Sequence, residues 1–231
     1  IGHSALRTHV MGERSWEQQA SAHDIGAMEH ELLDALDAGA IGFTSSRSTA
    51  HRLPEPDNRY VASYHASWDE MSHLVCAMGQ TGRGVFEYSR ERDTRSADPA
   101  VRKAANDRLL ELAGKSRVPI TFGLPGGSKG TDDNLKLLDD AARAGGRMFG
   151  QTHTRGISHV LSYKGRLQFD DFPEWKRVRA LSIEEQRKIL VAATKKGGYR
   201  SGGGEPRAPN YDNMYVVLSA VSKNPTVAQL A

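Results

Sequence analysis

The chain contains one cysteine, Cys76, so it can form no disulfide within itself, and a reducing, cytoplasmic setting is expected. Cys76 falls in a helical pattern beside Leu74, Val75 and Met78, where a thiol packs as a small apolar group rather than serving as a nucleophile. No apolar run approaches the roughly 20 residues that a membrane-crossing helix needs. No secretory leader is visible either, so no membrane partner is expected. Neither sign of charge dominates: 31 basic residues meet 28 acidic ones, for a formal net charge of +3. That near balance gives no sign of a nucleic-acid partner. The basic residues Lys195, Lys196 and Arg200 sit in a glycine-rich stretch that reads as a solvated loop. Dinucleotide and phosphate-loop signatures are missing too. The segment GLPGGSKG at 123–130 lacks both the G-x-G-x-x-G spacing and the G-K-[ST] ending.

What is present is a globular composition, 38% apolar and 26% charged, in 231 residues, enough to bury a sizeable core. Helices are expected in five places. Ile25, Met28, Leu32 and Leu36 recur at three- and four-residue spacings between 24 and 38, ahead of Gly39. Ser67 and Glu70 form a capping-box pattern opening a helix over 67–79, with Trp68, Met71, Val75 and Met78 as its inner stripe. Asp98-Pro99 starts a third helix that runs to Gly114. Thr131 caps a fourth ending at Gly145, and Ser182 with Glu185 opens a fifth that ends near Ala192.

Between these lie apolar runs of strand length at 40–44, 84–88, 118–122 and 147–151, and GHSALR suggests an earlier strand ending at His3. Strands alternating with amphipathic helices imply parallel βα units with right-handed crossovers. Polar residues gather just after the strands, most densely in SSRSTAHR at 45–52. That pattern favours a closed barrel, whose carboxyl-end loops converge on one site, over an open doubly wound sheet. Four or five units amount to about half of a (β/α)8 TIM-type barrel.

Several segments, taken in order, resemble one family. They are GHSALRTHVMG (2–12), ALDAGAIGFTSSR (35–47), GRGVFEYSRE (82–91), PITFGL (119–124), QTHTRG (151–156) and FDDFPEWKRVRALSIEEQRKIL (169–190). Together they resemble the N-acyl-D-amino-acid deacylases of the amidohydrolase superfamily, and the closing NPTVAQLA resembles the stretch before that family's final barrel strand. The resemblance implies an internal fragment of a single barrel domain over 1–231, with βα units over 1–160 and a helical and loop segment over 161–231. It implies a divalent metal, zinc by preference, that activates water to cleave the amide of an N-acyl-D-amino acid or related small amide. The general base and the first-strand H-x-H ligands would lie outside this chain. The family's two later histidines are expected near the ends of the runs at 84–88 and 118–122, but Glu87-Tyr88-Ser89-Arg90 and Phe122-Gly123-Leu124 stand there.

Candidate residues follow from these positions. Glu87 ends an apolar run, and a carboxylate there either ligates metal or pairs with Arg90 or Arg92. His153, just past the fourth run, is a second candidate metal ligand or an exposed histidine. Arg47 can grip a substrate carboxylate through two parallel hydrogen bonds, or pair with an acid on a neighbouring loop; Ser46 and Arg155 join it as candidate substrate contacts. His3 is expected to be structural. His23, His30, His51, His65 and His73 are expected at the surface, and GGYRSGGGEPRAPN (197–210) as a loop or lid. A non-catalytic homologue that binds or scaffolds is the alternative to a hydrolase.

Overall fold

A computed structural model of the chain describes residues 1–53, 59–124, 131–154 and 173–194. The chain separates into two compact units, Ile1–Ile157 and Ser158–Ala231.

In the first unit, helices α1 (His3–Met11) and α2 (Ala22–Asp37) precede strand β1 (Gly42–Ser46). Three further helix–strand steps follow: α3 (Trp68–Gln80) and β2 (Val85–Ser89), α4 (Pro99–Ser116) and β3 (Ile120–Gly123), α5 (Thr131–Arg143) and β4 (Met148–Gln151). The strands form a parallel 4-stranded sheet in the order β1-β2-β3-β4. This is the expected succession of βα units, with each strand one or two residues later than the apolar runs suggested. The expected strand ending at His3 is a correction. Only Gly2 bridges in parallel to Thr44, and His3 already opens α1, because His3, Leu6, Arg7 and Met11 fall at helical spacings and are all buried.

Strand alternation gives the sheet two unlike faces. One row in register, Phe43, Phe86, Ile120 and Met148, is buried against helices. Phe86 stacks on both Phe43 and Tyr88, with ring centroids 5.6 Å apart in each pair. Over this face lie Met28, Leu32 and Leu36 of α2, Met71, Leu74, Val75 and Met78 of α3, Leu109 and Leu112 of α4, and Leu137 of α5. Each such side chain contributes about 1.5–3 kcal/mol when fully buried. The neighbouring row, Thr44, Glu87, Thr121 and Phe149, faces the other way and is exposed or half-buried.

Local chemistry fixes the element ends. Ser21 and Asp24 complete a capping box on α2, and the Asp98 side chain accepts from the Ala100 amide ahead of α4, with Pro99 in its first turn. The α4 helix continues two residues past Gly114, and Arg117 takes the left-handed conformation (φ 57°) that terminates it. Gly79 lets α3 approach the end of α4; a Cβ there would lie 2.1 Å from the Ser116 carbonyl oxygen. In the second unit, α6 (Pro173–Arg179) was not expected from the sequence, whereas α7 (Ile183–Thr194) begins at the expected Ser182–Glu185 capping box. Gln186 ties the two helices, accepting from the Arg179 guanidinium at 3.2 Å.

The stacked aromatic row makes Phe86→Ala the sharpest test of this core. The substitution is expected to cost about 3–5 kcal/mol, read as a lowered denaturation midpoint in urea.

Candidate functional site

The end of β1 is held from behind by a chain of buried polar groups. The Ser45 hydroxyl lies 2.8 Å from Nδ1 of His3, and Nε2 of His3 lies 2.9 Å from Glu70 Oε1. Arg7 donates to both oxygens of the same carboxylate and to the main-chain oxygens of Ser15 and Gln18, at 3.2 and 2.7 Å. His3, Arg7 and Glu70 have no exposed side-chain surface. Burial lowers the His3 pKa below its ordinary 6.5, despite the neighbouring carboxylate, so the ring is neutral. A carboxylate only accepts, so the ring donates from Nε2 to Glu70 and accepts at Nδ1 from the Ser45 hydroxyl. For Glu70, burial pushes the pKa up, but hydrogen bonds from His3 and Arg7 outweigh it and hold it below the usual range. The structural role expected of His3 is therefore present, but its partners had not been anticipated. Glu70 does not return to the Ser67 amide as a capping box requires. Only half of that box forms, with the Ser67 side chain accepting from the Glu70 amide, because the carboxylate is spent on Arg7 and His3.

In front of this support, between the ends of β1 and β2, lies a cavity of about 290 Å³. Ser46 lines it, its hydroxyl 2.7 Å from Nδ1 of His51 and accepting from the Ser48 amide at 3.3 Å. The Ser63 hydroxyl donates to the Ser46 main-chain oxygen at 2.9 Å and accepts from Ser4 at 3.0 Å. Thr44, Glu87 and Ser89 complete the sheet side of the lining.

Ser46 and Glu87 are thus brought together, and the other candidates are not. Glu87 lies exposed on the open face, so the burial cost that singled it out does not arise, and neither Arg90 nor Arg92 pairs with it. The Arg47 side chain donates to the Ala66 main-chain oxygen and does not line the cavity. His153 is exposed beyond β4 and likewise absent from the lining. Arg155 and the loop at 197–210 lie outside the described residues. His51 is exposed, as expected of a surface residue, but its place in the cavity lining was not foreseen; its position five residues after Ser46 in one polar loop was the available signal. The expectation for His23, His30 and His73 holds, and all three are exposed. Burial pushes the Cys76 thiol up, in keeping with a packing role.

The metal implied by the resemblance meets an incomplete donor set. His3 has both ring nitrogens engaged, which leaves His51 and Glu87 as the lining's groups of ligating type. Among the described residues, no group of three or more His, Cys, Asp or Glu is placed to hold a metal ion. These residues do not fit a metal by themselves.

The buried network generates a pH dependence. Glu70 is depressed in the fold, so its contribution is present above the unfolded carboxylate range and lost as pH falls through its folded value. His3 is depressed as well, so the unfolded chain takes up its proton first and stability also falls as pH drops below 6.5. The thermal midpoint is expected to fall on acidification from about pH 7 to about pH 5. Glu70→Gln, which leaves Arg7 buried without its counter-charge, is expected to cost about 3–5 kcal/mol in urea denaturation.

No protein-family model matches the chain, and no curated protein matches it. Solved structures do. A D-aminoacylase, studied for the role of its binuclear metal centre, matches with 22% identity over 67% of this chain and a TM-score of 0.50. A mutant D-aminoacylase in complex with copper chloride matches with 22% identity over 67% of this chain and a TM-score of 0.49. The N-acyl-D-glutamate deacylase of Bordetella bronchiseptica, bound to zinc and a phosphonate inhibitor, matches with 20% identity over 65% and a TM-score of 0.48. This chain spans 30% of the length of the first two and 29% of the third. Its fold, over the matched part, is that of the D-aminoacylases, the family its sequence segments resemble.

Proposed function

We propose that this chain belongs to a metal-dependent hydrolase of carbon–nitrogen bonds acting on N-acyl-D-amino acids or related small amides, as part of one amidohydrolase barrel domain. The observation that carries this reading is a cavity at the carboxyl ends of β1 and β2 lined by serine hydroxyls, His51 and Glu87, in a chain with the fold of D-aminoacylase. Parallel barrels assemble their chemistry at that end of the strands, because the loops that follow the strands converge there.

In this reading Ser46 and Glu87 contact the substrate. His51 orients the Ser46 hydroxyl, and Ser45, held by His3 and Glu70, keeps the strand end in register with β2. The divalent metal of the reading requires ligands that the described residues do not supply, so Glu87 is assigned to substrate rather than to metal. A non-catalytic homologue that only binds small molecules is the second reading. It is favoured by the absence of a three-group metal cluster among the described residues and of histidine at the ends of β2 and β3.

Metal analysis and amine release by the full-length protein separate the two. The hydrolase reading expects a bound divalent metal, turnover of N-acetyl-D-amino acids that a chelator abolishes, and a loss of about tenfold in kcat/KM on Ser46→Ala. Protein that holds no metal and releases no amine with added zinc establishes the non-catalytic reading instead.

A further inference from the structure

The charge of the cavity carries a statement about what enters it. The buried carboxylates among the described residues of the first unit have basic partners: Glu70 has Arg7, Asp24 has Arg14 and Glu91 has Arg108. Glu87 has no hydrogen bond or ion pair to any described residue, and it faces the cavity. Among the described residues, no lysine or arginine is part of the lining. The nearest arginines along the two strands are engaged elsewhere: Arg47 on the Ala66 carbonyl, Arg90 on Asn106 and Asn134 and over the Phe122 ring.

Hydroxyl-bearing residues share the face of the sheet that carries Glu87 and line the same cavity. Thr44 is the register partner of Glu87 on the adjacent strand, about 4.8 Å away across the sheet. Ser89 is two residues further along β2 on the same face, and Ser46 is in register with it. The Thr44 and Ser89 hydroxyls bond to no other described residue. An ammonium group has three donors and no acceptor. One carboxylate flanked by free hydroxyl oxygens offers it a charge-assisted bond and two further acceptors. A side-chain carboxylate placed beside Glu87 meets the reverse, a like charge with no lysine or arginine among the described lining residues to offset it.

We propose that this cavity selects a substrate carrying a protonated amine, which Glu87 binds with help from Thr44 and Ser89. The proposal rests on the small-amide reading of the same site and specifies its substrate class: cationic amides, in preference to the acidic ones that a gripping Arg47 would favour.

The test is calorimetric binding to chelator-treated, full-length protein, so that neither turnover nor a metal ion contributes. The probes are N-acetyl-D-lysine, N-acetyl-D-norleucine, which keeps the same carbon chain without the side-chain ammonium, and N-acetyl-D-glutamate, all three bearing the same α-carboxylate. The expected order of affinity is lysine, norleucine, glutamate, with lysine ahead of norleucine by roughly five- to tenfold. Glu87→Gln, at an exposed position, is expected to fold as the parent does by circular dichroism and to lose that preference. Three results overturn the proposal: norleucine or glutamate binding as tightly as lysine, a lysine preference that survives Glu87→Gln, or no binding of any probe. Zinc uptake that disappears in Glu87→Gln without any ligand preference overturns it as well, assigning the carboxylate to a metal. Binding preference without turnover after metal is restored sinks the hydrolase and leaves this proposal standing. Turnover of neutral and cationic amides at equal rates does the opposite.

Discussion

One buried carboxylate governs how the first unit is assembled. Glu70 sits in the first turn of α3, yet it is bonded to Arg7 and His3 of α1, and through His3 to Ser45 of β1. An ionised group with no water around it is tolerable only when its partners are fixed, because desolvation costs several kcal/mol per ion unless good geometry offsets it. The carboxylate therefore specifies where α1, α3 and β1 stand relative to one another. Apolar packing alone, which is not directional, leaves that choice looser.

The sidedness of the strands does the rest. Each strand places alternate residues among the helices and on the open face, so the register that buries Phe43 and Phe86 necessarily exposes Thr44 and Glu87. The cavity is thus made by the same alternation that makes the core. A second acid cluster secures the end of β2 from the helix side: Glu91, largely buried, accepts from the Tyr88 hydroxyl and from Arg108, whose guanidinium also lies over the Trp68 ring. The two strand ends that frame the cavity are each anchored by a carboxylate–arginine pair on the opposite face of the sheet.

Much of the fold was legible from local signals. Periodicity and capping residues gave α2, α3, α4, α5 and α7, and apolar runs gave all four strands. The pieces that were hidden depend on distance along the chain or on parity. His3 and Glu70 are 67 residues apart, and nothing local distinguishes a glutamate that completes a capping box from one that turns to a buried arginine. Glu87 was noticed as an anomaly in an apolar run, but whether it points to the core or the open face depends on a register no run of five residues states. Arg47 follows the last residue of β1, where strand alternation no longer dictates direction, and its guanidinium found a main-chain oxygen instead of the cavity.

The near-contact between Gly79 and the Ser116 carbonyl has a bearing beyond packing. Those residues close α3 and α4, and the chain leaves each of them directly into β2 and β3. The lateral position of these strands is thereby inherited from a backbone-to-backbone touch on the far side of the sheet. Any side chain at 79 would push α3 off the end of α4, so the spacing of the two helices behind β2 and β3 tolerates nothing larger than a hydrogen there.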